Sequence, residues 1–67
     1  MRVNLEIERT RLQKSREEIA RDLGVTAKTY RAYVNGRAIP SDTLERMAKL
    51  FGCSVDYLLG LADDRAS

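Results

Sequence analysis

Apolar residues recur along this chain in short blocks at helical spacing, and small polar residues or glycines stand between the blocks. The clearest block is Leu44, Met47, Ala48 and Phe51, placed at i, i+3, i+4 and i+7. That spacing lines one face of an amphipathic helix. Ser41 or Asp42 is positioned to cap its start and Gly52 to stop it. Upstream, Ser15 and Glu18 form an S-x-x-E capping box, in which the hydroxyl satisfies a free backbone N–H and the glutamate reaches back to the cap. A helix is predicted to begin there, with Ile19, Ala20 and Leu23 inward and Gly24 ending it after about two turns.

Val25 is expected to bury itself in the following turn while Thr26 caps a third helix, from Ala27 to about Asn35, that Gly36 terminates. At about 100° per residue, Tyr30, Tyr33 and Val34 fall on one side of it and Lys28, Arg31, Ala32 and Asn35 on the other. The first helix is expected from a cap at Asn4 to about Lys14. Leu5 and Leu12 share one face, Ile7 lies off it, Glu6 and Glu8 sit in the first turn, and Arg11 and Lys14 lie toward the end. Arg37 to Pro40 forms a loop. Ser54 is expected to cap a short fifth helix, with Val55, Leu58 and Leu59 inward and Gly60 closing it. These elements predict an all-α, compact five-helix domain over residues 1–61 and a frayed C-terminal tail over 62–67.

Composition narrows the chemistry. At 67 residues the chain holds one domain, and 43% apolar residues with one proline describe a globular fold. Cys53 is the one cysteine, so no intramolecular disulfide forms, and histidine is absent. The usual general base and the common zinc ligand sets are therefore missing, which argues against a hydrolytic or metal-dependent enzyme. Glu17 and Glu18 are adjacent carboxylates, but successive helix residues diverge and Glu18 serves the cap, so they make no catalytic pair. No cofactor is expected. The N-terminal MRVNLEIER lacks the apolar run of a signal peptide, and nothing approaches the roughly 20 apolar residues of a membrane span, so a cytoplasmic location is expected.

The net charge of +2 conceals an uneven distribution. Residues 1–37 carry nine basic and five acidic side chains, whereas 38–67 carry three basic and five acidic ones. With a pI near 9.0 this gives either a basic face suited to phosphate or a set of ordinary solvated helix surfaces.

The stretch SREEIARDLGVTAKTYRAYVNGRAIPSDTLERMAKLFGCSVDYLLG resembles the lambda-repressor and Cro helix-turn-helix family, also called the XRE family. The resemblance covers nearly the whole chain. It rests on small Ala20 at the helix crossing, Gly24 in the tight turn, Ile19, Leu23 and Val25 in the shared core, the Asn35-Gly36 pair, Pro40-Ser41, and DYLLG ending at Gly60. It implies a helix-turn-helix at roughly residues 16 to 35 whose second helix enters the major groove of DNA. By the family pattern, Ala27, Lys28, Arg31 and Ala32 face base edges. Lys28 and Arg31 can donate to guanine, and the alanines and the Thr29 methyl can touch a thymine methyl; the alternative is that Lys28 and Arg31 reach only phosphates. Thr26, Asn35, Arg37, Arg16 and Arg9 are the candidate phosphate contacts.

Some positions depart from the pattern. Arg16 stands where the family usually has a phosphate-binding glutamine. Val34 replaces a glutamate that in many members pairs with a first-helix arginine, here Arg9, which is thereby expected to be left free for DNA. Tyr30 replaces a smaller aliphatic and must enter the core or lie at its edge; the helical spacing of Tyr30 and Tyr33 with Val34 favours core packing over stacking on bases for both, more so for Tyr33. Gln13 and Lys14 replace a glycine and an apolar residue, leaving the end of the first helix open.

The resemblance implies a sequence-specific transcriptional regulator of double-stranded DNA, a repressor of the phage or mobile-element kind. It would act as a homodimer on inverted-repeat half-sites and dimerise through the fourth and fifth helices with Leu58, Leu59 and Leu61. The alternatives are an antitoxin or controller protein that binds its own promoter and a protein partner, and a helical interaction domain that has lost DNA binding.

Overall fold

The computed structural model describes residues 1–65, which wind into five helices: α1 (Val3–Arg11), α2 (Arg16–Leu23), α3 (Ala27–Val34), α4 (Ser41–Phe51) and α5 (Val55–Leu58). The caps of α2, α3 and α5 form where the small polar residues place them. Ser15 accepts a hydrogen bond from the Glu18 N–H at 3.1 Å while the Glu18 carboxylate accepts one from the Ser15 N–H at 2.9 Å. Thr26 and Ser54 accept from the N–H three residues on, each at 3.1 Å. Gly24 ends α2 in the left-handed region at φ +75°, where a side chain would be strained. The chain can therefore reverse sharply from α2 into α3, the pair that packs most extensively in the molecule.

Two expected caps are displaced. Asn4 lies inside α1, whose N-cap falls two residues earlier at Arg2, where the Arg2 backbone N–H donates to the Val34 carbonyl at 2.6 Å. The Asn4 amide instead donates to the Tyr57 carbonyl at 2.7 Å. In α4 neither Ser41 nor Asp42 caps: the helix opens at Pro40, whose extended backbone and carbonyl, accepting from the Leu44 N–H, begin the turn without a side-chain cap. α1 also stops at Arg11, short of Lys14, and Gln13 adopts a positive φ of 57° to turn the chain toward α2.

The core joins Leu5, Ile19, Leu23, Tyr30, Met47 and Leu58, each essentially inaccessible, to Ala20, Tyr33, Val34, Phe51, Cys53 and Tyr57 around them. Val25 and Ile39 pack at its margin. Early termination of α1 takes Leu12 off the inward face, so it is 37% exposed, and the buried α1 position after Leu5 is Glu8 at 1%. In α5 Tyr57 joins Leu58 inside, while Val55 and Leu59 are half-buried. Leu58 is sealed within the domain and so is unavailable for the dimer contact expected of it.

Within the segment expected to be a frayed tail, the structure describes residues as far as Arg65. Its carbonyl accepts from the Ser54 N–H at 2.8 Å and its guanidinium donates to the Phe51 carbonyl at 3.1 Å, closing the segment after α5 back on the domain. Residues 66 and 67 lie outside the described residues. The principal extents are 28 × 24 × 20 Å, and among the described residues no helix is long and apolar enough to cross a membrane.

Candidate nucleic-acid interface

The outer face of α3 follows from what its inner face buries. Tyr30, Tyr33 and Val34 are committed to the core, which turns Lys28, Arg31 and Asn35 to solvent at spacings of three and four residues. Ala27 and Ala32 are half-buried at the edge of the same surface, Ala27 packing against the core. Beyond the helix, the Arg37 guanidinium lies 6.0 Å from the centre of the Tyr33 ring, a cation–π approach that steadies an exposed charge. From residue 26 to 37 there is no acidic side chain.

The phosphate candidates are held differently from one another. The Thr26 hydroxyl is engaged at both ends, accepting from the Thr29 N–H and donating to the Thr29 hydroxyl at 3.0 Å, so the first-turn backbone N–H groups are the donors it leaves to an anion. Asn35 is the exposed C-cap of α3. Arg9 is not left free: it donates to the Glu6 carboxylate at 2.9 and 3.3 Å and to the Lys14 carbonyl at 2.6 Å. With Val34 unable to pair, Glu6, one turn earlier on the same helix, takes the arginine. Arg16 also donates to Glu6, at 2.7 and 3.1 Å, but remains 47% exposed.

Glu6 is therefore the junction of three elements. Besides the two arginines it accepts the Tyr30 hydroxyl at 2.8 Å, which resolves how a large ring fits in α3: the ring enters the core and its hydroxyl finds a charged acceptor. Burial would raise the Glu6 carboxyl, but hydrogen bonds from Arg9, Tyr30 and Arg16 outweigh it and lower the pKa to about 2. Burial and the adjacent carboxylate push the Tyr30 hydroxyl up. Glu6 thus stays charged and the Tyr30 hydroxyl neutral near neutral pH.

Sequence patterns did not reveal two further anchors. Arg2 donates to the Tyr33 carbonyl at 2.7 Å and to the Arg37 carbonyl, placing a positive charge at the C-terminal end of α3 where the helix dipole favours it. Glu8 accepts the Tyr57 hydroxyl and Arg65 Nε, both at 3.0 Å, and its other oxygen lies 3.0 Å from Arg65 Nη2 and 3.3 Å from Arg11 Nε. Burial pushes this carboxyl up, but Arg65 and Tyr57 more than offset it and hold it below the ordinary carboxylate range. Cys53 is buried, its thiol donating to the Phe51 carbonyl at 3.3 Å, and burial pushes its pKa up.

A helix-turn-helix family model matches residues 5–58. Among curated proteins, the uncharacterized HTH-type transcriptional regulator YobD of Bacillus subtilis (strain 168) is 39% identical over 49 residues, which is 72% of this chain and 44% of that protein. The chain thus matches less than half the length of that relative. No solved structure matches. With α2, the Gly24 turn and α3 in the arrangement the motif requires, the chain belongs to the XRE-type helix-turn-helix family and carries its lambda-repressor-like five-helix fold.

Proposed function

We propose that this chain binds double-stranded DNA sequence-specifically by laying α3 in the major groove, and that it regulates transcription by doing so, as a repressor. The observation that carries the reading is the outward face of α3 and its loop. Lys28, Arg31 and Arg37 are exposed there without an acidic residue among them, on a helix whose other side is locked to the core by two tyrosines. The name of the Bacillus subtilis relative supports the regulatory part.

In this reading Lys28 and Arg31 address base edges, with Ala27 and Ala32 allowing close approach. Arg16, Arg37, Asn35 and the N-terminal turn behind Thr26 hold phosphates. One module of this size covers about 600 to 1,000 Å² and reads a handful of base pairs, so the active species is a homodimer on inverted repeats. Its contact surface includes exposed Leu61 and half-buried Leu59.

The test separates reading from holding. Arg31→Ala, at an exposed helix position, should change stability by no more than about 0.5 kcal/mol. Its affinity for the preferred duplex should fall by about 1 to 3 kcal/mol, with discrimination lost at one base position. Arg37→Ala should weaken preferred and scrambled DNA alike and make the log-log salt slope shallower by about 0.9. Binding of the wild-type chain that ignores salt between about 50 and 200 mM would defeat the proposal.

A further inference from the structure

We infer that Glu6, although acidic and on the helix outside the motif, is a positioning residue for DNA recognition: it holds Arg16 so that the outer edge of the guanidinium meets a phosphate while tying the same point to the recognition helix. The inference rests on the DNA-binding reading above and adds a residue to it.

The geometry is specific. Arg16 spends Nε and Nη2 on one carboxylate oxygen of Glu6, at 3.1 and 2.7 Å. A guanidinium has five N–H donors in a planar fork, so this pairing leaves the Nη1 edge and the second Nη2 proton pointing away from Glu6. Those are the donors that match two phosphate oxygens. Arg16 is half-exposed, whereas Glu6 is 15% exposed beneath it, so the carboxylate supports the arginine without occupying the surface. Arg9 on the same carboxylate leaves two positive groups against one negative, and the cluster keeps a net positive charge toward DNA. Through the Tyr30 hydroxyl at 2.8 Å the acid also fixes the middle of α3. A phosphate held by Arg16 is thereby held at a set distance from Lys28 and Arg31, and this registration makes base contacts productive.

Removing the charge has two opposed consequences, which separate positioning from simple support of the fold. Glu6→Gln deletes a negative charge near the phosphates, so affinity for scrambled DNA is unchanged or rises. It also frees Arg16 to wander, so preference for the selected sequence falls. Glutamine retains an amide oxygen that can accept the Tyr30 hydroxyl, which confines the change to the arginines. A variant that only loosened the fold would lower both affinities in proportion to the folded fraction and leave their ratio untouched.

The experiment uses the full chain, a duplex selected from a random pool, and a scrambled duplex of equal length and composition at matched salt. Wild type, Glu6→Gln, Arg16→Ala and the double variant are compared. The selected-to-scrambled ratio is expected to drop about fivefold in Glu6→Gln, within the range for coupled neighbours, and by less than about twofold when the same change is made in the Arg16→Ala background. A Glu6→Gln ratio equal to that of wild type, or the same drop in both backgrounds, overturns the inference. If the wild type shows no preference for any selected duplex, the DNA-reading proposal falls and takes this one with it. A selective wild type with an indifferent Glu6→Gln removes the role of Glu6 alone.

Discussion

Arg65→Ala tests a contact between the two ends of the described chain. Its guanidinium neutralises Glu8, a carboxylate 1% exposed, across a separation of 57 residues. Removing one partner of a buried ion pair typically costs about 3 to 5 kcal/mol. Arg65 is itself 38% exposed and lies over Glu8 like a cover, so its removal admits water and lets Arg11, already 3.3 Å away, draw closer. The expected cost is therefore reduced to about 2 kcal/mol. In a domain of this length, whose total stability is on the order of 3 to 10 kcal/mol, that loss lowers Tm by about 8 to 16 °C. Tyr57→Phe leaves the cover in place and deletes one hydrogen bond to the buried anion, for about 1.5 to 3 kcal/mol. Thermal unfolding followed by circular dichroism at pH 7 measures both. An Arg65→Ala midpoint within about 2 °C of wild type would mean that the segment after α5 is frayed in solution and that the clasp contributes nothing.

Acid should unfold the protein through its first helix. Glu6 and Glu8 are both harder to protonate when folded, so their contributions are fully present above about pH 5 and are lost in acid, for Glu6 as the pH falls toward 2. For Glu6 the shift to about 2 corresponds to at most about 3 kcal/mol, and nearer 2 after screening at half-exposed Arg16, so urea-unfolding free energies unchanged between pH 7 and pH 2.5 would contradict the network. For assembly, Leu61→Glu should leave the domain folded, since Leu61 is 74% exposed, but weaken cooperative binding to half-sites about 34 to 36 Å apart. Footprints showing one subunit on an unrepeated site would remove the dimer.

The parts legible in the sequence are those whose partners lie within four residues. Ser15, Thr26 and Ser54 each bond to the N–H three positions on, and Gly24 turns the chain at its own position, so a short window contains the whole cause. The inward tyrosines of α3 were legible for the same reason, since helical period alone sets them apart from Lys28 and Arg31. Apart from the Glu6–Arg9 pair, three residues apart, the remainder depends largely on side chains brought together from far along the chain. Asn4 resembles a cap but meets Tyr57, 53 residues away, and Arg2 meets Tyr33 across 31. Glu8 has the sequence position of a solvated first-turn acid; besides nearby Arg11, it is Tyr57 and Arg65, 49 and 57 residues on, that make its burial tolerable. No periodicity distinguishes such an acid from an exposed one.

The two acids of α1 also explain how the protein manages without the pairing that its resemblance to the family would supply. Glu6 and Glu8 are two residues apart and so diverge by about 200° around the helix. One reaches toward α2 and α3, the other toward α5 and the returning C-terminal segment. In many family members an acid on the recognition helix reaches back to an arginine on the first helix; here Val34 fills that place with buried aliphatic surface. The connection is kept with its polarity moved. The acid stands on α1, Arg9 pairs with it locally, and α3 contributes only the neutral hydroxyl of Tyr30. A carboxylate at position 34 would sit within a turn of Arg31 and add negative charge to α3. Placing it on α1, beneath two arginines and 15% exposed, keeps residues 26 to 37 free of negative charge while still fixing the helix they belong to.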